Sequence, residues 1–346
     1  LNLSSSIIQP VFGWVSDRWG IQWFIPVGIV WTGILMGSVG LVPNYWTLLL
    51  VVTLTGVGTA AFHPIASMAA AHASQARRGL GMSLFSAGGN LGFATGPILM
   101  TWLLLWFDLR GTILLVALGL LTACLIHRYR REIEVPHIGL GQRHSHAEAP
   151  IPWAKLSGLC ILITLRSWGS SGMVVFMPLL LMQRGVALSA TGRALFVFLF
   201  FGALGGMLGG YLSDRVGRQQ VIAASLLLYP ALMASALMLH GPARWLFLAI
   251  AGAALLASNS VTVVFAQELL PHRVGIASGL TLGLAFGAGG LGVGVSGVVA
   301  DLLGLQVSVL TLLLLPGLAG LLALWLKSPG HDKPETALPL PLRADK

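Results

Sequence analysis

Gly13-Trp14-Val15-Ser16-Asp17-Arg18-Trp19-Gly20 decides how this chain is read, because it returns as Gly210-Tyr211-Leu212-Ser213-Asp214-Arg215-Val216-Gly217. Both copies read G-x-x-S-D-R-x-G, and each residue of the second is numbered 197 beyond its counterpart. The same offset pairs Leu35-Met36-Gly37-Ser38 with Leu232-Met233-Ala234-Ser235, so the duplication extends beyond one motif. Each copy lies between two apolar stretches long enough to cross a bilayer. The expectation is a charged, glycine-bounded turn between spanning helices, used once in each half of a chain built from parallel repeats.

Working outward, the composition fits that frame. Hydrophobic residues make up 56% of the 346, charged residues only 9%, and mean hydropathy is +0.86. Soluble domains carry about a quarter charged residues, so this is a polytopic membrane protein. Eleven tryptophans and 44 glycines supply the interfacial anchors and close-packing residues that such proteins favour. Both cysteines, Cys124 and Cys160, lie in apolar segments, which leaves no disulfide framework and no metal-binding motif.

Eleven apolar segments follow: residues 1–15, 23–42, 46–71, 79–106, 111–127, 152–182, 193–212, 220–239, 245–266, 275–302 and 306–326. Between the fifth and sixth runs a polar stretch with Arg128, Arg130, Arg131, Glu132, Glu134, Arg143 and three histidines, which reads as a linker. His144 and His146 are read there as solvated linker residues rather than metal ligands. The division is thus an N-terminal helix bundle over 1–128, a linker over 129–153, a C-terminal bundle over 154–327 and a tail over 328–346. Basic residues fall mostly on one side of these spans, with Arg110, Arg184, Arg193 and Arg244 on the other. The positive-inside rule then places both repeats, the linker and the C-terminus in the cytoplasm. The net charge of +9 is accounted for by topology, without a nucleic-acid partner.

The two repeats resemble the paired loop signatures of the major facilitator superfamily. Gln9-Pro10, Phe62-His63-Pro64, Gly88 to Pro97 (GGNLGFATGP) and Ala266 to Gly292 resemble its fosmidomycin-resistance efflux branch. The likeness covers nearly the whole chain, and the last block is its most specific part. It implies an all-α fold of two pseudo-symmetric bundles with twelve spanning helices. Eleven are visible here, and subtracting the repeat offset from the sixth segment lands ahead of residue 1, so the family's first helix is expected to be missing. The resemblance implies a secondary active transporter of the bacterial inner membrane, a proton-coupled exporter of a small, anionic drug or metabolite. On the same fold an uptake symporter or facilitator remains open, as does a non-transporting receptor or decayed fragment. Expected partners are a small-molecule substrate, protons and the lipid bilayer, with the chain a monomer and no cofactor. Phosphate-binding loops, metalloprotease helices and nucleophile elbows are absent from the sequence, so it is not read as an enzyme.

Two groups of residues are singled out. The first is a conformational gate: Gly13, Asp17, Arg18 and Gly20, then Arg77 and Arg78, then Gly210, Asp214, Arg215, Gly217 and Arg218, and Arg273. Asp17 and Asp214 are expected to meet the basic residues of neighbouring loops or the positive N-terminus of a following helix, latching the two halves of each bundle. The reading without function is that the aspartates only stop helices and fix topology. Ile21 and Gln22 follow the first copy where Arg218 follows the second, so the first latch is expected to be the weaker.

The second group is a substrate and proton cavity: Arg166, His63, Asn90, Asn259, Gln267 and Glu268. Arg166 lies eleven residues beyond Lys155, about 16 Å into its span. A charge at that depth requires a partner or water, either an anionic substrate or a structural counter-ion. His63 titrates near neutrality when unperturbed, though a membrane histidine can equally be a packing partner beside a proline kink. The offset sets Ser260, beside Asn259, opposite it. Glu268 either takes a proton or makes a salt bridge to Arg273 or Arg215. Glycines recur every fourth residue at 88–96, 202–210 and 275–287, giving three close-packing faces.

Overall fold

The computed structural model describes residues 2–19, 23–74, 77–129 and 151–326. Gly20, the linker from 130 to 150 and the tail from 327 lie outside the described residues. Eleven long α-helices occupy the rest: α1 (Asn2–Trp19), α2 (Phe24–Ser38), α3 (Tyr45–Ala73), α4 (Arg78–Phe107), α5 (Leu114–Arg128), α6 (Trp153–Gln183), α7 (Leu188–Val216), α8 (Arg218–Met238), α9 (Pro242–Leu269), α10 (Val274–Leu303) and α11 (Leu305–Trp325). Short 3-10 turns, Val39–Leu41 and Leu109–Ile113, tighten two of the connections. Each expected apolar segment is a helix. Nine spans among the described residues are long and apolar enough to cross a membrane.

One expectation fails at the repeat itself. G-x-x-S-D-R is not a turn: residues 13–19 and 210–216 are the last turns of α1 and α7. In the second copy only Gly217 leaves the helix, at φ 105° and ψ 152°. That conformation is strained for any residue with a Cβ. The motif therefore holds its aspartate on a rigid helix end and spends a single glycine on the reversal.

Packing separates two bundles, α1–α5 and α6–α11. The second has a continuous apolar core that includes Leu159, Leu162, Met173, Phe198, Ile222, Tyr229, Leu255, Phe265 and Leu312. The first has a small one around Ile25, Ile65, Ala66 and Ala69. The repeat offset relates α1 to α7, α2 to α8, α3 to α9, α4 to α10 and α5 to α11. Among the described residues α6 has no counterpart.

The bundles meet most extensively along two helix pairs, α1 with α10 and α4 with α7, and less so where α3 meets α10 and α4 meets α9. On α1 the usual polarity is inverted. Ser5, Ser6, Gln9, Gly13 and Ser16 are buried, while Ile7, Val11 and Trp14 are exposed. A span whose outer face meets lipid has no reason to put its apolar side inwards, so small and polar residues take the helix contact instead.

Candidate functional site

The gate is built from backbone at helix starts. Asp17, in the last turn of α1, accepts two hydrogen bonds at the N-terminus of α10, from Gly275 N–H to Oδ1 (2.8 Å) and from Ile276 N–H to Oδ2 (2.8 Å). Asp214, in the last turns of α7, does the same at the start of α4. Gly79 N–H donates to Oδ1 and Leu80 N–H to Oδ2, each at 2.9 Å. The first N–H groups of a helix have no partner within it and carry the positive end of its dipole. A carboxylate there gains charge-assisted bonds, and both of its oxygens are used.

These contacts cross from one bundle to the other. Asp17 belongs to the first bundle and grips the second; Asp214 belongs to the second and grips the first. The expectation that each aspartate ties together two halves of one bundle is thus corrected. A helix N-terminus was among the expected partners; what the sequence did not show is that it belongs to the opposite bundle, because the donors are main-chain groups that no residue type announces. Arg77 and Arg78, expected partners of an aspartate, have exposed side chains and make no ion pair among the described residues. They contribute position only, at the start of the helix whose N–H groups bind.

Arg218 is the hub of the second contact. It is 8% exposed. Its Nη1 donates to Asp214 Oδ1 and to Ser213 Oγ (2.8 Å), while Nε and Nη2 both reach Glu268 Oε1 at 3.1 and 3.0 Å. Glu268 therefore pairs with Arg218, and neither Arg215 nor Arg273 takes that place. Arg215 instead lies 4.3 Å from the Tyr211 ring, one helical turn back. The first copy repeats this with Arg18 over Trp14 at 5.5 Å. That aromatic-x-x-x-Arg pair was visible in both copies as a spacing of four.

Close backbone contact accompanies each aspartate. A Cβ on Gly13 would overlap the Gly275 carbonyl, and one on Gly275 would sit 2.5 Å from the Gly13 carbonyl oxygen. Gly79 and Gly210 face one another in the same way. Behind the two latches lies an apolar plug drawn from both bundles: Ala71 of α3, Met82 and Phe85 of α4, Val263 and Val264 of α9, and Leu282 of α10. The repeat end of the molecule is therefore shut by a polar layer backed by an apolar one. Towards the other end the glycines open out. A Cβ on Gly290 or Gly294 of α10, or on Gly88, Gly92 or Gly96 of α4, would meet nothing within 4 Å.

The cavity candidates do not form one cluster: His63 lies beside the middle of α10, Gln267 meets Ser278 near its start, and Glu268 belongs to the clasp. His63 on α3 lies 5.6 Å from the Phe286 ring and 5.4 Å from that of Phe62. Next to Phe286, Gly287 faces Ser6 of α1; two residues on, Gly289 faces Ser171 of α6. Arg166 of α6 is 5% exposed and donates from Nη2 to the adjacent Ser167 hydroxyl (3.1 Å). Its Nε has no partner, and among the described residues no carboxylate lies within 4 Å of the guanidinium. Asn259 and Ser260 each carry a buried oxygen without a partner. Gln267 is fully buried; its Nε2 donates to Ser278 Oγ (2.9 Å) while Oε1 is unpaired. Asn90 is exposed on α4 and joins none of these.

Two helical bundles, related by an internal repeat and clasped at one end by contacts made across their interface, define a multi-pass membrane transporter fold. Comparison with known proteins agrees. The family model of the Major Facilitator Superfamily matches residues 2–281 and again 159–344. The chain belongs to that superfamily. It is 32% identical to the fosmidomycin resistance protein of Escherichia coli (strain K12) over 338 residues, 95% of this chain and 82% of that one. It is 37% identical to the uncharacterized MFS-type transporter YfnC of Bacillus subtilis (strain 168) over 340 residues, with the same coverage. In three dimensions it superposes on the E. coli fucose:proton symporter FucP with a TM-score of 0.73 at 15% identity, covering 94% of this chain and 89% of that one. That last likeness concerns the fold.

Proposed function

We propose that the chain is a proton-coupled exporter of small, anionic drugs or metabolites, working by alternating access in a bacterial inner membrane. One observation carries the reading: the two bundles are clasped at one end by reciprocal carboxylate-to-helix contacts. A carboxylate bound to main-chain N–H groups can be released to water without leaving a buried charge, so the clasp is suited to opening and closing. The positive-inside pattern turns this closed end towards the cytoplasm, and the C-terminus with it. Arg166, a buried cation near the middle of its span with no carboxylate close by, supports an anionic substrate. Likeness to a fosmidomycin resistance protein supports outward transport. His63, a titratable group beside Phe286 that the clasp does not use, is the proton-carrying candidate.

The test is uptake of radiolabelled fosmidomycin into inverted membrane vesicles with an acidic interior. Accumulation that a protonophore abolishes is the expected result. Accumulation only in right-side-out vesicles with acid outside would establish uptake by symport, and flux in neither would dismiss transport of this compound. Arg166→Gln should weaken handling of anionic compounds far more than of neutral ones, whereas Arg166→Lys keeps the charge but loses the planar fork. Equal effects on both classes would make Arg166 a structural counter-ion.

A further inference from the structure

The seam between α1 and α10 contains a side chain that the clasp does not explain. Gln9 is 0% exposed, and neither its Nε2 nor its Oε1 has a hydrogen-bond partner. It lies eight residues before Asp17 on the same helix, about 12 Å along the axis, against the glycine face of α10. A Cβ on Gly279 would sit 2.5 Å from the Gln9 carbonyl, and one on Gly283 would sit 3.4 Å from Gln9 Cβ. Buried amides are almost always paired, because an unpaired one has given up its water for nothing. Its neighbours on the buried face are Ser6, Gly13 and Ser16. Opposite them run Gly275, Gly279, Gly283 and Gly287, so this seam holds little apolar surface. A seam of this composition loses little when it wets, in contrast to the apolar plug beside it.

We infer that Gln9 is a substrate-binding residue of the cytoplasm-open state. While α1 and α10 are in contact its amide is held idle; when they part, the amide faces the entering solute. An amide presents an acceptor oxygen beside N–H donors, which suits a small polar molecule carrying an acceptor oxygen next to an O–H or N–H group. This rests on the alternating-access reading above and adds to it a specific group on the cytoplasmic path. The orphaned amide then has a function: it is satisfied in one of the two states and idle in the other.

Two experiments on the full chain decide it. In the first, Gln9→Cys is made with Cys124 and Cys160 replaced by serine, and a membrane-impermeant maleimide is applied to inverted vesicles. With both aspartates intact the thiol should label slowly; with Asp17→Asn and Asp214→Asn it should label about tenfold faster, a difference of order 1.4 kcal/mol in opening. Equal labelling overturns the inference whether or not any substrate is known. In the second, Gln9→Leu is compared with the parent for thermal stability and for fosmidomycin uptake. The expected result is a chain at least as stable that handles fosmidomycin with about threefold to tenfold higher KM, the worth of one neutral hydrogen bond. A variant that is less stable, or that transports with an unchanged KM, assigns Gln9 to packing and ends the proposal. If parent vesicles take up no fosmidomycin, drug export is what fails. Gln9 is then judged on labelling and stability alone, and failure of either is sufficient to reject it.

Discussion

The two clasps are built to one plan and reinforced to different degrees. Each places an aspartate from a helix end on two N–H groups of the opposite bundle and brings two glycine backbones together beside it. Only the second adds Arg218, which binds Asp214 and Glu268 at once. At the corresponding positions of the first half stand Ile21 and Ala71, so that half cannot form the same triad. Helix contact differs in the opposite sense. The α1–α10 seam runs from Gly13 and Gly275 as far as Ser6 and Gly287, whereas the α4–α7 contact involves Gly79, Ser83 and Gly210 and leaves Gly88 facing open space. The second clasp adds a cation and a second carboxylate over a short helix contact, while the first extends over a longer one.

The largest effect should come from removing the hub. Arg218→Met leaves two carboxylates, both largely buried, without their cation, and breaking such a pair costs about 3–5 kcal/mol. The closed state should then be depopulated, seen as rapid labelling of a cytoplasmic-path cysteine and loss of most transport. Restoration by a compensating Glu268→Gln would show that the uncompensated acid is the cause. Wild-type behaviour in Arg218→Met would mean that charge is not what distinguishes the two clasps.

Next in size is the aspartate comparison. Asp214→Asn should slow transport more than Asp17→Asn while both leave substrate affinity nearly intact, because Asp214 also neutralises Arg218. Loss of each carboxylate from its helix N-terminus is worth about 0.3–1 kcal/mol. Equal or reversed rates in a single-turnover assay would remove the asymmetry between the two clasps.

Glycine substitutions separate the seams with a smaller signal. Gly275→Ala forces a Cβ to 2.5 Å from a carbonyl oxygen that is part of α1, so it should destabilise the closed state. Gly88→Ala, where nothing lies within 4 Å, should be neutral or stabilise its helix by about 0.5–1 kcal/mol. Thermal melts in detergent would decide it, and identical shifts would dismiss the difference in seam length. Smallest of all, Tyr211→Leu and Trp14→Leu each remove one ring under an arginine at a cost of about 0.5–1 kcal/mol. The shorter contact, Tyr211 with Arg215, should cost the more.

Sequence alone settled what depends on composition and period. An excess of apolar residues with scarce charge can be solvated only by a bilayer, and a motif repeated at a fixed offset can be met only by a duplicated fold. All eleven helices and the two aspartates were legible for that reason, and the family was legible through the resemblance of its paired signatures and the longer motif stretches. The tertiary structure decided which groups meet. Asp17 and Asp214 bind main-chain N–H groups, and every residue has one, so no residue type could reveal that their partners lie in the opposite bundle. Glu268 was expected to pair with Arg273 or Arg215 or to take a proton, and the packing of α8 against α9 selected Arg218 instead. Gln9 was read as part of a resemblance; that its amide is buried and unpaired is a property of the α1–α10 contact. Hydropathy reports how a residue partitions between water and lipid, whereas the gate depends on which helix ends abut, and that is fixed only when the bundles pack.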